Sequence, residues 1–467
     1  MAVVAATTQP ATRSDSAALA HLLVSTLFLG LGGLLYLVAS VARAYPTVFE
    51  GPLSPGRLRP MAMSITLIGW LVPALTGAIY YVLPRLTGTL LWNERLVSLA
   101  AWAHGGVALA AVTAIALGLG DGLMPMALPW WMDILVLGLF SLPAVVAVQT
   151  VRRRSERGVY VTLWFVLAGA AWLPLLYLVT SIPGLNAVAR SLQEVTMSAG
   201  VTSLWVIAVG TGVAYYTVVK ITGAPLANRQ LAKVGFWSLA VAATWAGPAQ
   251  IAFGPTPEWL GQLAAVLTLA LPVAAISNAL ALSLTAGDSL SHPGEALRAT
   301  MWGIGFAVLV SVLTALASFG SSSALLALTP FWDGVEYLAL FGVGGLLVAG
   351  WAYQALPAMT GFAIPPNSHA RLHIRLTVIG SGVTGALLML AGVIDGFRWA
   401  GGSFTGAFID AGAGWESSSA GLLTLAGLTG LVTLAGQTLF MYAVFKTLTA
   451  GVATDREVFV AVDADDE

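Results

Sequence analysis

The chain contains no cysteine, only five histidines in 467 residues, and just 9% charged residues. Without cysteine there is no disulfide, iron–sulfur cluster or thiolate metal site, and cysteine usage leaves the redox compartment open. A charge content of 9% falls far below the roughly 25% usual for water-soluble domains. That shortage argues at once against a water-facing enzyme, a disordered chain and a nucleic-acid binder. The 20 basic and 21 acidic residues nearly cancel, so no polyelectrolyte character marks a strongly acidic or basic partner. What the sequence does have is apolarity: 58% hydrophobic residues and a mean hydropathy of +0.87. This is the balance of a polytopic membrane protein in contact with a lipid bilayer.

A membrane span needs roughly 20 mostly apolar residues. Runs of that length predict about twelve helices, near 18–41, 60–84, 98–119, 127–150, 158–181, 196–219, 233–253, 259–285, 299–320, 332–356, 373–394 and 420–447. Helices rather than strands are expected, because the signal is continuous hydrophobicity and an open strand in lipid leaves backbone groups unsatisfied. The expected organisation is a tail over 1–17, a membrane domain over 18–448 and a polar, acidic tail over 449–467 ending in Asp463, Asp465, Asp466 and Glu467. Of the 20 Lys and Arg residues, all but Arg43, Arg57, Arg59, Arg190 and Arg398 fall at the termini or in even-numbered loops. The positive-inside rule therefore predicts both termini in the cytoplasm. No repeat of fixed period is expected from the sequence.

Several polar and aromatic clusters interrupt this background. Gly56-Arg57-Leu58-Arg59-Pro60 opens the second run, Leu128-Pro129-Trp130-Trp131-Met132-Asp133-Ile134 the fourth, and Tyr160-Val161-Thr162-Leu163-Trp164-Phe165 the fifth. Further along come Tyr215-Tyr216, Phe236-Trp237, Trp245-Ala246-Gly247-Pro248, Pro257-Glu258-Trp259, Ser277-Asn278-Ala279-Leu280 and Tyr353-Gln354-Ala355-Leu356-Pro357. In this order, over roughly residues 20 to 450, they resemble subunit I of the heme-copper oxidase superfamily, closest to its cbb-type branch. The resemblance implies an all-α bundle of twelve membrane helices with both ends in the cytoplasm. It also implies a respiratory, electron-transferring context, with partner subunits or a cupredoxin- or cytochrome-like donor and residence in a bacterial or archaeal cell membrane.

The resemblance further implies histidine ligands for two hemes and a copper ion, and their positions can be carried over residue by residue. They fall on Ala62, Ala199, Ala249, Gln250, Val335 and Tyr337, and the tyrosine that the family cross-links to a copper ligand falls on Ala243. No small shift of register supplies imidazoles, since the five histidines are His21, His104, His292, His369 and His373. His292, His369 and His373 are read as loop or helix-end residues near lipid headgroups. His21 and His104 are read as single histidines at unrelated depths, each bonded to a neighbouring helix. No heme, copper or other metal is therefore expected at the carried-over positions. A retained heme b would have to use Met61, Met63 or His104, thioether and imidazole being axial ligands.

Intramembrane ionisable groups are functional candidates by default, which singles out Asp133, Asp333 and Glu336 as a possible proton or ion path. Asp333 and Glu336 are three apart and share a helix face. Gln250 and Tyr337 are expected to point into the space the ligands have left and to bond each other or a water. Bulky residues are expected to fill the remainder, because an empty hole of that size is costly. The reading is a subunit I-like membrane component with a degenerate active site, from which oxygen reduction is not expected. A transport pathway and a heme-binding oxidase subunit with other ligation remain as alternatives.

Overall fold

The computed structural model describes residues 13–451 apart from 123–124, 157, 183–185, 253, 255, 366 and 406–418. All twelve expected spans are helical. They are α1 (Arg13–Ala44), α2 (Pro55–Thr87), α3 (Glu94–Ala116), α4 (Trp130–Arg152), α5 (Val161–Thr180), α6 (Ala187–Thr222), α7 (229–250), α8 (Glu258–Leu290), α9 (Glu295–Ala317), α10 (Pro330–Thr360), α11 (Asn367–Thr405) and α12 (Ala420–Ala450).

Among the described residues, eleven of these helices are long and apolar enough to cross a membrane. The exception is α7. It runs without interruption through a tight 3-10 turn at Ala243–Trp245, and at 1.5 Å per residue it covers about 33 Å. Lys233, Pro248 and Gln250 dilute its hydropathy without shortening it.

Both expected tail boundaries move. Residues 13–17, expected in the N-terminal tail, are helical and belong to α1, and Asp15 among them pairs with Arg85 of α2 at 2.8 Å. Helix α12 continues to Ala450. Residues 1–12 and 452–467, with the acidic terminal run, lie outside the described residues, as does Arg157.

Helices α2, α6 and α10 form the centre: 100%, 78% and 94% of their most apolar stretches are buried, against 33–56% for the other candidate spans. Each central helix widens into one π-helical segment, at Ile65–Leu71, Val201–Ile207 and Leu338–Gly344. These segments bury Trp70, Trp205 and Phe341 completely. Each central helix also ends the same way, on a left-handed glycine: Gly88 (φ 71°), Gly223 (φ 65°) and Gly361 (φ 75°). These glycines donate their N–H groups to the carbonyls of Pro84, Val219 and Pro357.

The common ending exposes a repeat that the sequence reading does not anticipate. Gly77, Tyr80 and Gly88 of α2 recur as Gly212, Tyr215 and Gly223 of α6 and as Gly350, Tyr353 and Gly361 of α10. The interval of about 135 residues lies far outside the 20–50-residue periods of solenoid arrays. The unit is four helices, α1–α4, α5–α8 and α9–α12. In each, the first helix packs on the second through the recurring glycine: a Cβ on Gly77, Gly212 or Gly350 would meet the carbonyl oxygen of Ala18 (3.0 Å), Thr162 (3.4 Å) or Ala296 (3.1 Å). Small residues permit such backbone approach where lipid supplies no hydrophobic drive between helices. Outside the centre, Trp102, Trp130, Trp237 and Trp259 are largely exposed, as aromatic side chains are on lipid-facing and interfacial surfaces.

Candidate functional site

The C-terminal ends of α1 and α7 and the N-terminal ends of α2, α6 and α10 enclose a polar cluster. Its geometry starts from local signals. Thr329 caps α10, accepting from the Phe331 N–H, and Pro330 occupies the first helical position, where its missing N–H costs nothing. That start puts Asp333 in the first turn and Glu336 one turn deeper on the same face. Tyr36 and Arg43 are two turns apart on α1 and therefore also share a face.

Asp333 is bridged by Arg43 and Arg59. Glu336 is only 4% exposed and lies 3.7 Å from Arg59. Its carboxylate accepts from the hydroxyls of Tyr36 (2.8 Å) and Ser198 (2.5 Å). Two cations, two anions and two hydroxyls thus form one connected network, in which every charge has a partner, as burial requires. A cavity of about 230 Å³ reaches this network between Glu194, Ser198, Gln250, Trp332 and Glu336. A smaller neighbouring space of about 30 Å³ is lined by Ala199, Gln250, Val335 and Glu336, room for about one water.

Three of the carried-over positions, Ala199, Gln250 and Val335, therefore converge on one space, while Ala62, Ala249 and Tyr337 are buried without lining it. Ala249 instead accepts from the Ser323 hydroxyl through its carbonyl, at 2.9 Å. Tyr337 does not meet Gln250. Its ring packs on Phe341 (4.6 Å) and Tyr36 (6.1 Å), and its hydroxyl faces Gly430 of α12. Phe341 in turn stacks on Trp70 at 5.2 Å, so aromatic rings join α1, α2 and α10. Met61 and Met63 are buried, and the Met63 sulfur lies 3.5 Å from the Tyr36 hydroxyl.

The proposed acidic trio separates. Asp333 and Glu336 share the network. Asp133 sits in a different polar space with Asp121 and Thr180, where it accepts from the Tyr177 hydroxyl at 2.5 Å. Tyr177→Phe is expected to lower stability by about 1.5 kcal/mol, the usual worth of a bond to a charged group, measured as a shift in the detergent-unfolding midpoint.

Two histidine readings also change. His373 is not at a headgroup: it is 3% exposed, bonded through Nδ1 to the Tyr353 hydroxyl at 2.8 Å, and packed on Phe440. His21 and His104 do not lie at unrelated depths, their ring centres being 6.0 Å apart. The sequence reading also missed Arg43, Arg59, Tyr36 and Ser198. The one available signal was the placement of Arg43 and Arg59 against the charge bias of the other loops.

This architecture is that of the terminal oxidases. The fold matches a cryo-EM structure of a heme-copper terminal oxidase dimer with a TM-score of 0.77 over 98% of this chain and 88% of that one, at 13% identity. The chain belongs to the family described as cytochrome c and quinol oxidase polypeptide I, whose model matches residues 16–444. It is 25% identical to cytochrome c oxidase subunit 1 of Rhodobacter capsulatus, covering 95% of this chain and 87% of that protein. It is likewise 25% identical to the cbb3-type cytochrome c oxidase subunit CcoN1 of Stutzerimonas stutzeri, covering 85% and 86%. A cytochrome c oxidase subunit 1 homolog of Agrobacterium tumefaciens is 21% identical over 91% of this chain and 82% of its own. The protein is thus a multi-pass, subunit I-like membrane protein.

Proposed function

We propose that this chain is a remodelled subunit I that serves an electron-transfer assembly of the cell membrane without carrying the oxygen-reducing centre. The observation that carries this reading is the side-chain chemistry at the six carried-over positions. Two alanines in the α6–α7 region, a third in α2, a glutamine, a valine and a tyrosine offer no imidazole, and iron porphyrin and copper need lone pairs of that kind. The packing agrees. Where the resemblance implies a heme between α2 and α10, Trp70 and Phe341 are in direct stacking contact. The residues present do not fit the family's cofactors.

The relatives are named as subunits of larger oxidases, which supports a role beside other membrane subunits or a soluble electron carrier docking at the outer face. The transport reading has less support, because Arg43 and Arg59 already neutralise Asp333 and Glu336, and Asp133 is not on their route. The test is heme analysis of the purified chain. The expected spectrum has no Soret band, and pyridine hemochrome assay finds no stoichiometric heme. One heme per chain overturns the proposal, as does oxygen consumption abolished by substituting Met61 or Met63.

A further inference from the structure

Three polar groups lie together in the half of the bundle opposite Arg43 and Arg59, on α1, α2 and α3. The Nδ1 of His21 lies 2.9 Å from the carbonyl oxygen of Ala17, and that of His104 lies 2.8 Å from the carbonyl oxygen of Ala100. A carbonyl only accepts, so in both rings Nδ1 carries the proton and Nε2 keeps its lone pair. Both Nε2 atoms are buried without a hydrogen-bond partner, and so is the Tyr80 hydroxyl. The Tyr80 ring stands edge-on to His21 at 5.2 Å, and the His104 ring centre is 6.0 Å from that of His21. Two lone pairs cannot satisfy each other, and a buried polar atom left unpaired carries its full desolvation cost.

The surroundings limit what can join them. A Cβ on Gly77 would meet the Cβ of His21 at 2.9 Å, and one on Gly105 would meet Phe28 at 3.0 Å and Val24 at 3.4 Å. Helices α1, α2 and α3 are therefore in direct contact around the histidines, too close to admit a porphyrin. A metal about 2.0 Å from each of two Nε2 atoms requires ring centres about 6 Å apart, and those of His21 and His104 are 6.0 Å apart. Imidazoles whose second nitrogen is tied to a backbone carbonyl are the usual metal-ligating kind. His21, His104 and Tyr80 are all neutral groups, so a guest of low charge is favoured, and copper is the imidazole-binding metal that offers one.

We propose that the Nε2 atoms of His21 and His104 hold one cuprous ion, with the Tyr80 hydroxyl beside it. This site is separate from the central positions considered above and does not depend on their being vacant of cofactor.

The full-length protein, stripped with chelator and loaded anaerobically with Cu(I) against bicinchoninate, is expected to retain one ion per chain. X-ray absorption at the copper edge should show two imidazole nitrogens at about 2.0 Å. His21→Gln and His104→Gln should each lose the ion. Tyr80→Phe should keep it with affinity weakened by about 10-fold, and His373→Gln should keep it unchanged. A wild-type chain that stays helical and binds no copper overturns the proposal and leaves a bridging water as the guest. Retention of the ion by either glutamine variant of His21 or His104 also overturns it. Should those variants fail to fold, the wild-type absorption spectrum decides alone, two imidazoles supporting the site and none refuting it.

Discussion

Arg59→Ala should cost about 3 kcal/mol, the lower end of the range for removing one partner of a buried charge pair, because Arg59 is one-third exposed while Glu336 is buried. Arg59 bridges Asp333 and lies 3.7 Å from Glu336. Without it Asp333 keeps Arg43, whereas Glu336, 4% exposed, keeps only the hydroxyls of Tyr36 and Ser198. A double-mutant cycle separates charge from packing. Glu336→Gln alone should be far milder, because Arg59 still pairs with Asp333 and a neutral amide can bond the same hydroxyls. Placed in the Arg59→Ala background, Glu336→Gln should recover most of the loss. Equilibrium unfolding in mixed micelles reads all three variants. Additive costs, with no recovery, would show that Arg59 acts through its aliphatic stem rather than its charge.

The second large effect is expected at the recurring glycine. A Cβ on Gly350 would lie 3.0 Å from the Thr300 nitrogen and 3.1 Å from the Ala296 oxygen, and it would also meet the Thr300 hydroxyl. Backbone atoms cannot swing aside, so α9 and α10 must separate. Gly350→Val should lower stability by about 3 kcal/mol, at the upper end of overpacking costs. Gly305, on α9 with nothing within 4 Å of its Cβ position, is the control, and Gly305→Ala should be neutral or slightly stabilising. Thermal aggregation of the detergent-solubilised protein measures both. Equal midpoints for Gly350→Val and wild type would refute the close helix approach.

The span count was legible because each helix must present about 20 apolar residues to lipid, and that requirement is written locally. What depends on the bundle was not. Arg43 and Arg59 read as mere exceptions to a charge bias, since their partner Asp333 is some 290 and 274 positions away along the chain. The internal repeat rests on a few glycines and tyrosines spread over a long interval, too sparse to register as a period. The seventh run, 233–253, was legible as an apolar stretch, and it is helical although it is less apolar than the other eleven. The pairing of His21 with His104 was not legible either: the expected spans start at 18 and 98 and place the two at about 4.5 and 9 Å of rise, whereas the structure brings their ring centres to 6.0 Å.

The three π-helical segments act as rotational joints. A π turn carries one more residue than an α turn, so losing that residue would rotate everything beyond it by about 100°. Arg59, Ser198 and Glu336 lie on one side of these joints, and Gly77, Gly212 and Gly350 on the other. The glycine-bearing halves can therefore keep a common threefold dock while the opposite halves take up independent azimuths. A lineage could rebuild the upper chamber without renegotiating the lower one.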